Sequence, residues 1–398
     1  MEEIKCGLYE GYTLQRFIIV IAFSGLSFFG VLFNTLLIMV FARNISSNVY
    51  LATLALLDML ICLTYILLFG VDAAIVYLRD ATLFQLYFRY ILQTLFLAKV
   101  VQFAIPYMLI VITFERYLWT AREKTRQMFA AVFSDTGRFL TVLFLAAFSL
   151  AMRFPVILAT EIKQYPDCED YFRTESLWPT EFANWIGYQI FDLHVITFIQ
   201  TFVPFLVLLV FNIIIVMRMK AEKREHLSNP MSNRAFNEFT LQKNGNMPEN
   251  CVLLEVATEV IKESLVHSEK ASPTQQRRHS VLLELAQQIE ESSRSKRSQL
   301  RNAIYTMLAI VTSYLMCNSI HMFTTLLEKF DSNILYSAED PNQSSNFYIA
   351  LSDTVSILYM VTSAIRIFIY CKCNPKLRNE IRQFITRSGK MHEVPIIE

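Results

Sequence analysis

Glu115-Arg116-Tyr117 stands where a long apolar run ends. Charges at membrane depth are rare, costly unless paired, and usually functional. A carboxylate beside a guanidinium at such an edge can store one charge arrangement and release another. Other polar or ionisable groups lie inside apolar runs: Asn34, Asp58, Lys99, Gln102, His321, Asp353 and Arg366. These types can pair with each other, or with a ligand, through charge-assisted hydrogen bonds. They do not make a catalytic set. The chain has no His-Glu-x-x-His, no glycine-rich phosphate loop and no paired Cys-x-x-Cys. No enzyme activity, metal or cofactor is therefore expected.

The elements that must position these groups are membrane spans. The chain has 398 residues, 54% hydrophobic and only 18% charged, with 32 Phe. Soluble domains carry more charge and less aromatic mass. The net charge of +1 and the lack of a basic motif exclude nucleic acid as an expected partner. A span needs about 20 mostly apolar residues. Seven runs qualify: 17–42, 49–77, 90–114, 139–159, 195–217, 303–327 and 347–371. Asp72 softens the second, and Asp353 and Arg366 make the seventh the weakest. Backbone groups in lipid must be satisfied internally, so the spans read as helices. The expected fold class is an all-α membrane protein: a seven-transmembrane helix bundle with a short amphipathic helix after the last span.

Lys and Arg set the orientation. They crowd one set of flanks: Arg43; Arg116, Arg122, Lys124, Arg126 and Arg138; Arg218, Lys220, Lys223 and Arg224; Lys372, Lys376, Arg378 and Arg382. That side is expected to be cytoplasmic. The expected organisation is then an extracellular amino terminus over 1–16, five spans over 17–217 and a long, partly disordered cytoplasmic loop over 218–302. Spans six and seven follow over 303–371, and a membrane-surface helix with a cytoplasmic tail over 372–398. No cleavable signal is read in the acidic opening residues, so the first span is expected to direct insertion. The loop holds Leu253, Val256, Val260, Ile261 and Leu265 at helical spacing. It also holds Arg277-Arg278-His279-Ser280, which a basophilic kinase accepts; a plain solvated linker is the competing reading. In the tail, Leu377, Ile381, Phe384 and Ile385 share a face beside Lys376, Arg378 and Arg382. This suits a helix lying on lipid.

Several short motifs occur in order along these spans. They are Gly30-Val31-Leu32-Phe33-Asn34, Leu54-Ala55-Leu56-Leu57-Asp58, Phe114-Glu115-Arg116-Tyr117, Phe202-Val203-Pro204 and the end of span seven at Tyr370. With them the chain resembles rhodopsin-like (class A) G-protein-coupled receptors, everywhere but the insert and tails. Looser features are Arg153-Phe154-Pro155, Pro204 followed by Asn212, Cys317-Asn318 and Cys373-Asn374-Pro375-Lys376. In these the chain resembles invertebrate FMRFamide-type neuropeptide receptors.

The resemblance implies a multi-pass plasma-membrane receptor whose partners are an extracellular peptide ligand, a heterotrimeric G protein and membrane lipids. It implies a G-protein switch at Glu115, Arg116, Tyr117 and Tyr370, with Arg116 held by Glu115. It implies a buried polar core of Asn34, Asp58 and Arg366. Ligand-pocket candidates are Lys99, Gln102, His321 and Asp353. Lys99 reads equally as paired within the bundle, with Asp353 or Asp192, and His321 reads also as a plain buried histidine. The amine-binding Asp of relatives is Ala98 here, and the retinal Lys is Met360, so amine binding and light detection are not expected. Glu161, Asp167, Glu169, Asp170, Glu175 and Glu181 make the second outer loop acidic, and Glu328, Asp331, Glu339 and Asp340 add to the third. Lys163 and Arg173 stand against these acids. Such a field draws cationic ligands, and a peptide ending in Arg-Phe-amide fits it, ordinary solubilising charge being the competing reading. The alternatives are a non-peptide or chemosensory ligand and, from another class, a transporter or channel.

The chain departs from these relatives at several positions. Asn318 and Ile320 replace the sixth-span Trp and Pro, so that helix lacks its usual kink. Arg366-Ile367 replaces the seventh-span Asn-Pro, and Pro106 is an added kink candidate in span three. Relatives link the outer end of span three to loop two by a disulfide, but the matching residue is Ile91. Cys6 and Cys168 are the cysteines expected on the oxidising side. Their pairing is the expectation, and the sequence leaves open whether the sulfurs meet. Relatives hold a sodium ion at the span-two Asp. Here Arg366 is expected to pair with Asp58 instead, the other placement being toward lipid phosphates.

Overall fold

The structure is a computed structural model describing residues 6–7, 14–43, 45–119, 123–130, 132, 134–228, 298, 301–324, 326–327 and 346–391. The kinase motif, the 253–265 stretch and the acids of the third outer loop lie outside the described residues. Among the described residues, seven helices are long and apolar enough to cross a membrane: α1 (Phe17–Ala42), α2 (Asn48–Leu78), α3 (Ala81–Trp119), α4 (Asp135–Ala159), α5 (Ile186–Arg218), α6 (Arg301–Thr324) and α7 (Asp353–Cys373). An eighth, α8 (Pro375–Met391), follows. The fold is a seven-transmembrane helix bundle. One unit, Met1–Asn212 with Thr306–Glu398, holds every site discussed below. The described part of the second unit, Ile213–Tyr305, is chiefly the last turns of α5 and the first turn of α6.

Burial in the bundle is inverted relative to a soluble protein. Phe28, Leu143, Phe144 and Leu206 are exposed on its outside, where lipid solvates them. The interior keeps the polar groups: Asn34, Asp58, Thr113, Arg116, Arg153, Asn318 and Arg366 are buried. α1 packs along α2 and α7, and α3 along α2 and α4. Their shared core includes Leu54, Ile61, Ile105, Leu109, Ile112 and Met360. Gly30 permits the close approach of α1. A Cβ there would fall 2.7 Å from Cys62 Sγ and 2.9 Å from Ala364 Cβ.

Several helices depart from the expected runs, among them α5, which starts at Ile186 rather than at 195. α3 has 39 residues, about 58 Å at 1.5 Å per residue, nearly twice the hydrocarbon thickness. It starts nine residues before the expected run because Asp80 caps it, accepting from the amides of Thr82 and Leu83 at 2.8 and 2.9 Å. It continues through Pro106. α2 contains a π-helical turn at Ile66–Gly70, just before the Asp72 that softens its hydropathy. α7 breaks at Ile365 (φ −85°, ψ −3°) and resumes at Arg366, although Ile367 stands where relatives have proline. Thr362 Oγ1 donates to the carbonyls of Leu358 and Tyr359 at 2.6 and 2.9 Å, a back-bonding that bends helices. Asn34 Nδ2 takes the Ser363 carbonyl at 3.1 Å.

Between α4 and α5 the chain forms a hairpin of β1 (Thr160–Gln164) and β2 (Glu175–Pro179), antiparallel with Ile162 opposite Leu177. Ile162, Phe172 and Leu177 pack on Ile75, Phe84, Tyr87 and Ile91. Ile91 thus makes an apolar contact where relatives have a disulfide. Arg79, the one non-glycine residue with positive φ (53°) among those described, ends α2 and donates to Asp170 at 2.9 Å. Cys6 and Cys168 form a disulfide, Cα atoms 5.0 Å apart. Gly7 and Arg173 exchange two hydrogen bonds of 3.0 Å beside it. A Cβ on Gly7 would meet Ser176 Cβ at 2.9 Å, so glycine is needed for the strap to lie this close.

α8 places Leu377 and Ile381 in the core with Phe384 against it, while Lys376, Arg378 and Arg382 stay exposed. Arg43 from the end of α1 sits over the Phe384 ring, 4.6 Å from its centroid. The expected amphipathic face is therefore partly used against the bundle.

Candidate functional site

Polar groups in the bundle fall into three levels. In the middle, Arg366 Nη1 donates to Asp58 Oδ2 and the two make an ion pair. Their side chains are 3% and 0% exposed. Asn34 lies beside them, donating to Gly30 O at 2.9 Å and to Ser363 O at 3.1 Å. The break before Arg366 turns its side chain inward to Asp58. This level has one cation, one anion and an amide.

At the end of α3 away from the hairpin, the expected Glu115–Arg116 contact is not made. Glu115 Oε1 instead accepts from Arg138 Nη2 at 2.8 Å. Arg116 lies with its guanidinium over the Trp119 ring, 3.6 Å from the centroid. Its Nε and Nη1 are buried without a hydrogen-bond partner. Successive helical residues do not face one another. Glu115 points to the first turn of α4, where Arg138 reaches it, and Arg116 points elsewhere. Tyr117 stacks with Phe114, centroids 6.1 Å apart, and lies tilted against Phe211 at 5.6 Å. Tyr370 packs edge-on to Phe41 at 5.8 Å, within electrostatic range of Arg116.

Toward the hairpin end, the four ligand-pocket candidates do not converge. Gln102 lines a small cleft with Thr64, Tyr65, Ala98, Tyr359 and Met360. Asp353 lies near Tyr65 on the same side. Lys99 and His321 belong to a different group, built around Arg153. Arg153, 7% exposed, donates to Asp192 Oδ1 at 3.2 Å and to Gln200 Oε1. It lies 5.9 Å from the Phe103 ring centroid. Asp192 is therefore taken by Arg153 and not by Lys99. Lys99 stands within electrostatic range of Arg153 and Asp192, and His321 within range of Lys99 and Arg153. His321 rests against Tyr359, whose hydroxyl donates to Asn318 Oδ1 at 2.7 Å. Asn318 thus does hydrogen-bonding work where relatives carry Trp.

Arg153, Gln200 and Arg138 are the residues that sequence reasoning missed as site members. Arg153 and Gln200 left a signal, each a polar group closing or interrupting an apolar run. Arg138 left none, since a basic residue at a span end serves orientation equally well. Among the described residues, no group of three or more His, Cys, Asp or Glu could hold a metal.

Residues 33–370 match the sequence model of the seven-transmembrane receptor family described as the rhodopsin family. The chain belongs to the rhodopsin family of seven-transmembrane receptors. No curated protein is similar enough to it to count as a match. The receptor is thus a multi-pass plasma-membrane protein that couples to G proteins and is not an enzyme. Its three levels occupy the hairpin end, the middle and the opposite end of one helical bundle. Chemically they are an ionic group around Arg153, a neutralised core and an arginine stacked on Trp119.

Proposed function

We propose that the receptor binds an extracellular peptide, of the kind recognised by the FMRFamide-type receptors it resembles, and passes that binding to a heterotrimeric G protein. The observation that carries this reading is the hairpin. It is disulfide-tied to the amino-terminal segment, packed on α3, and displays Glu161, Asp167, Glu169 and Glu181 to solvent. An acidic rim of this kind raises the encounter rate of a ligand bearing Arg or Lys. Tyr107, Tyr188 and Tyr359, each partly exposed, offer aromatic surface of the sort that anchors peptide side chains.

The amino terminus is extracellular and the carboxyl terminus cytoplasmic in this reading. Support comes from the Lys and Arg flanks and from the disulfide, since a lasting disulfide belongs to an oxidising compartment. The switch is assigned to Arg116, with Glu115, Tyr117 and Tyr370 around it. The test is a screen of peptides with basic residues, each with a free and an amidated end, on cells expressing the receptor. Calcium and cyclic AMP are the readouts. Activation by at least one peptide, lost in Arg116→Ala at equal surface level, is expected. A response confined to amines or other non-peptide compounds would reject the peptide class.

A further inference from the structure

The group around Arg153 has more positive than negative charge. Lys99 and Arg153 bring two cations, and Asp192 is the acid that faces them. Of the other described acids within the spans, Asp353 acts on Tyr65 and Asp72 on Tyr90. Asp192 spends its contact on Arg153. Among the described residues Lys99 has no hydrogen bond or ion pair, and Arg153 Nε is buried without a partner. Gln200 and Tyr359 add no charge. An unmatched cation inside a bundle is costly unless something neutralises it. The middle level of this receptor demonstrates the alternative, where every charge has its counterpart.

We propose that Lys99, Arg153 and His321 form the seat of an acidic group, a carboxylate or sulfate, carried by the receptor's own extracellular ligand. The chemistry is that of a charge-assisted pair: an oxyanion accepts from the Lys99 ammonium and from the free Nε–H of Arg153. His321 supplies a third donor from α6, so that one ligand group bridges α3, α4 and α6. Tyr359, partly exposed, rests against His321, and the buried Phe103 ring backs Arg153, so an aromatic carrier suits the seat. A peptide ligand would then be two-ended, with a basic residue at the acidic rim and a free carboxylate or sulfated side chain at this depth. A carboxy-terminal amide offers no negative charge there. This inference rests on the reading of the site as a ligand pocket.

The experiment uses the full-length receptor in nanodiscs of zwitterionic phosphatidylcholine, which contribute no anionic headgroups. Thermal unfolding is followed while N-acetyl-phenylalanine or its amide is titrated. The acid should raise the unfolding temperature and bind roughly tenfold or more tightly than the amide. Lys99→Gln, which breaks no existing pair, should abolish the preference, and Lys99→Arg should keep most of it. Equal binding of acid and amide, no binding of the acid, or an intact preference in Lys99→Gln would overturn the seat. A preference for the acid in a receptor that no peptide activates would keep the seat and reject the peptide reading. Activation by a peptide that is indifferent to Lys99→Gln would do the reverse.

Discussion

The middle of the receptor and its hairpin end use the same chemistry in opposite ways. At Asp58 and Arg366, one acid meets one base with almost no exposure to water. Around Arg153, one acid faces two bases, and Asp192 keeps 43% of its side chain exposed. A balanced pair has no net charge left to offer a ligand, although Asp58 Oδ1 and Asn34 Oδ1 are buried without a hydrogen-bond partner. An open, unbalanced group has a charge to give away. The contrast separates a buried polar residue that holds the fold from one that waits for a partner. Burial alone does not separate them, since Arg153 and Arg366 are both buried.

The largest effect is expected from breaking the balanced pair. Asp58→Ala or Arg366→Ala leaves one buried charge uncompensated, a loss of about 3–5 kcal/mol. Folded receptor at the cell surface, measured by antibody labelling, should fall sharply in each. Asp58→Asn combined with Arg366→Asn removes both charges and should recover much of it. Additive losses in the double variant would mean that the two residues do not depend on each other.

Next comes the unbalanced group. Asp192→Asn removes its acid while leaving a neutral acceptor for Arg153. Surface expression should fall, because Arg153, with 9% of its side chain exposed, loses its counter-charge, so affinity is compared at matched surface level. Affinity for N-acetyl-phenylalanine should rise roughly fivefold to tenfold as the net positive charge grows. A fall in affinity would mean that Asp192 serves the acidic ligand as a positioning group.

A smaller change is expected at Arg116. Glu115 is held by Arg138, so Arg138→Gln leaves that carboxylate, only 7% exposed, unneutralised and acting on Arg116 through space rather than through a contact. Basal G-protein signalling, read by reporter at matched surface level, should fall about twofold to fivefold, close to 1 kcal/mol. Unchanged or raised basal signalling would show that the Arg138 contact does not screen Arg116 from Glu115.

The smallest effect is a null that sharpens the comparison. Asp58 already has a fixed cation, so a diffusible one has no place to act. Replacing sodium by a bulky organic cation at constant ionic strength should change probe affinity less than about twofold, below ordinary coupling between sites. A larger sodium-specific shift would mean that Arg366 does not neutralise Asp58.

Much of this arrangement was legible in the chain. Run length marked seven spans, and motif order marked the family. The polarity of single residues inside apolar runs marked Asp58, Lys99 and Arg366 as positions of consequence. The cysteines of one side were expected to pair, and Cys6 and Cys168 do so. Less was legible where a partner comes from another helix. Glu115 and Arg116 are neighbours in sequence, which suggested a contact that helical geometry disfavours. The pocket candidates were grouped by their level along the spans, yet Gln102 and Asp353 lie on one side and Lys99 and His321 on another. The early start of α3 was hidden by the polar residues of its first turns, which stand outside the membrane and lower local hydropathy without breaking the helix.

The sequence by itself determined what the lipid could read: how many helices span, how long each must be, and which residues are too polar to face hydrocarbon. Those are properties of each segment alone, because the cost of an unsatisfied backbone or an exposed charge in lipid is local. Only the tertiary structure decided which charge meets which. Arg366 reaches Asp58 through a break in α7 that no proline marks, and Arg138 takes Glu115 from a neighbouring residue. Among the described residues Lys99 makes no ion pair, and Arg153 holds Asp192. Pairing depends on the rotation of each helix about its own axis, and that rotation is set by packing among helices distant in the chain.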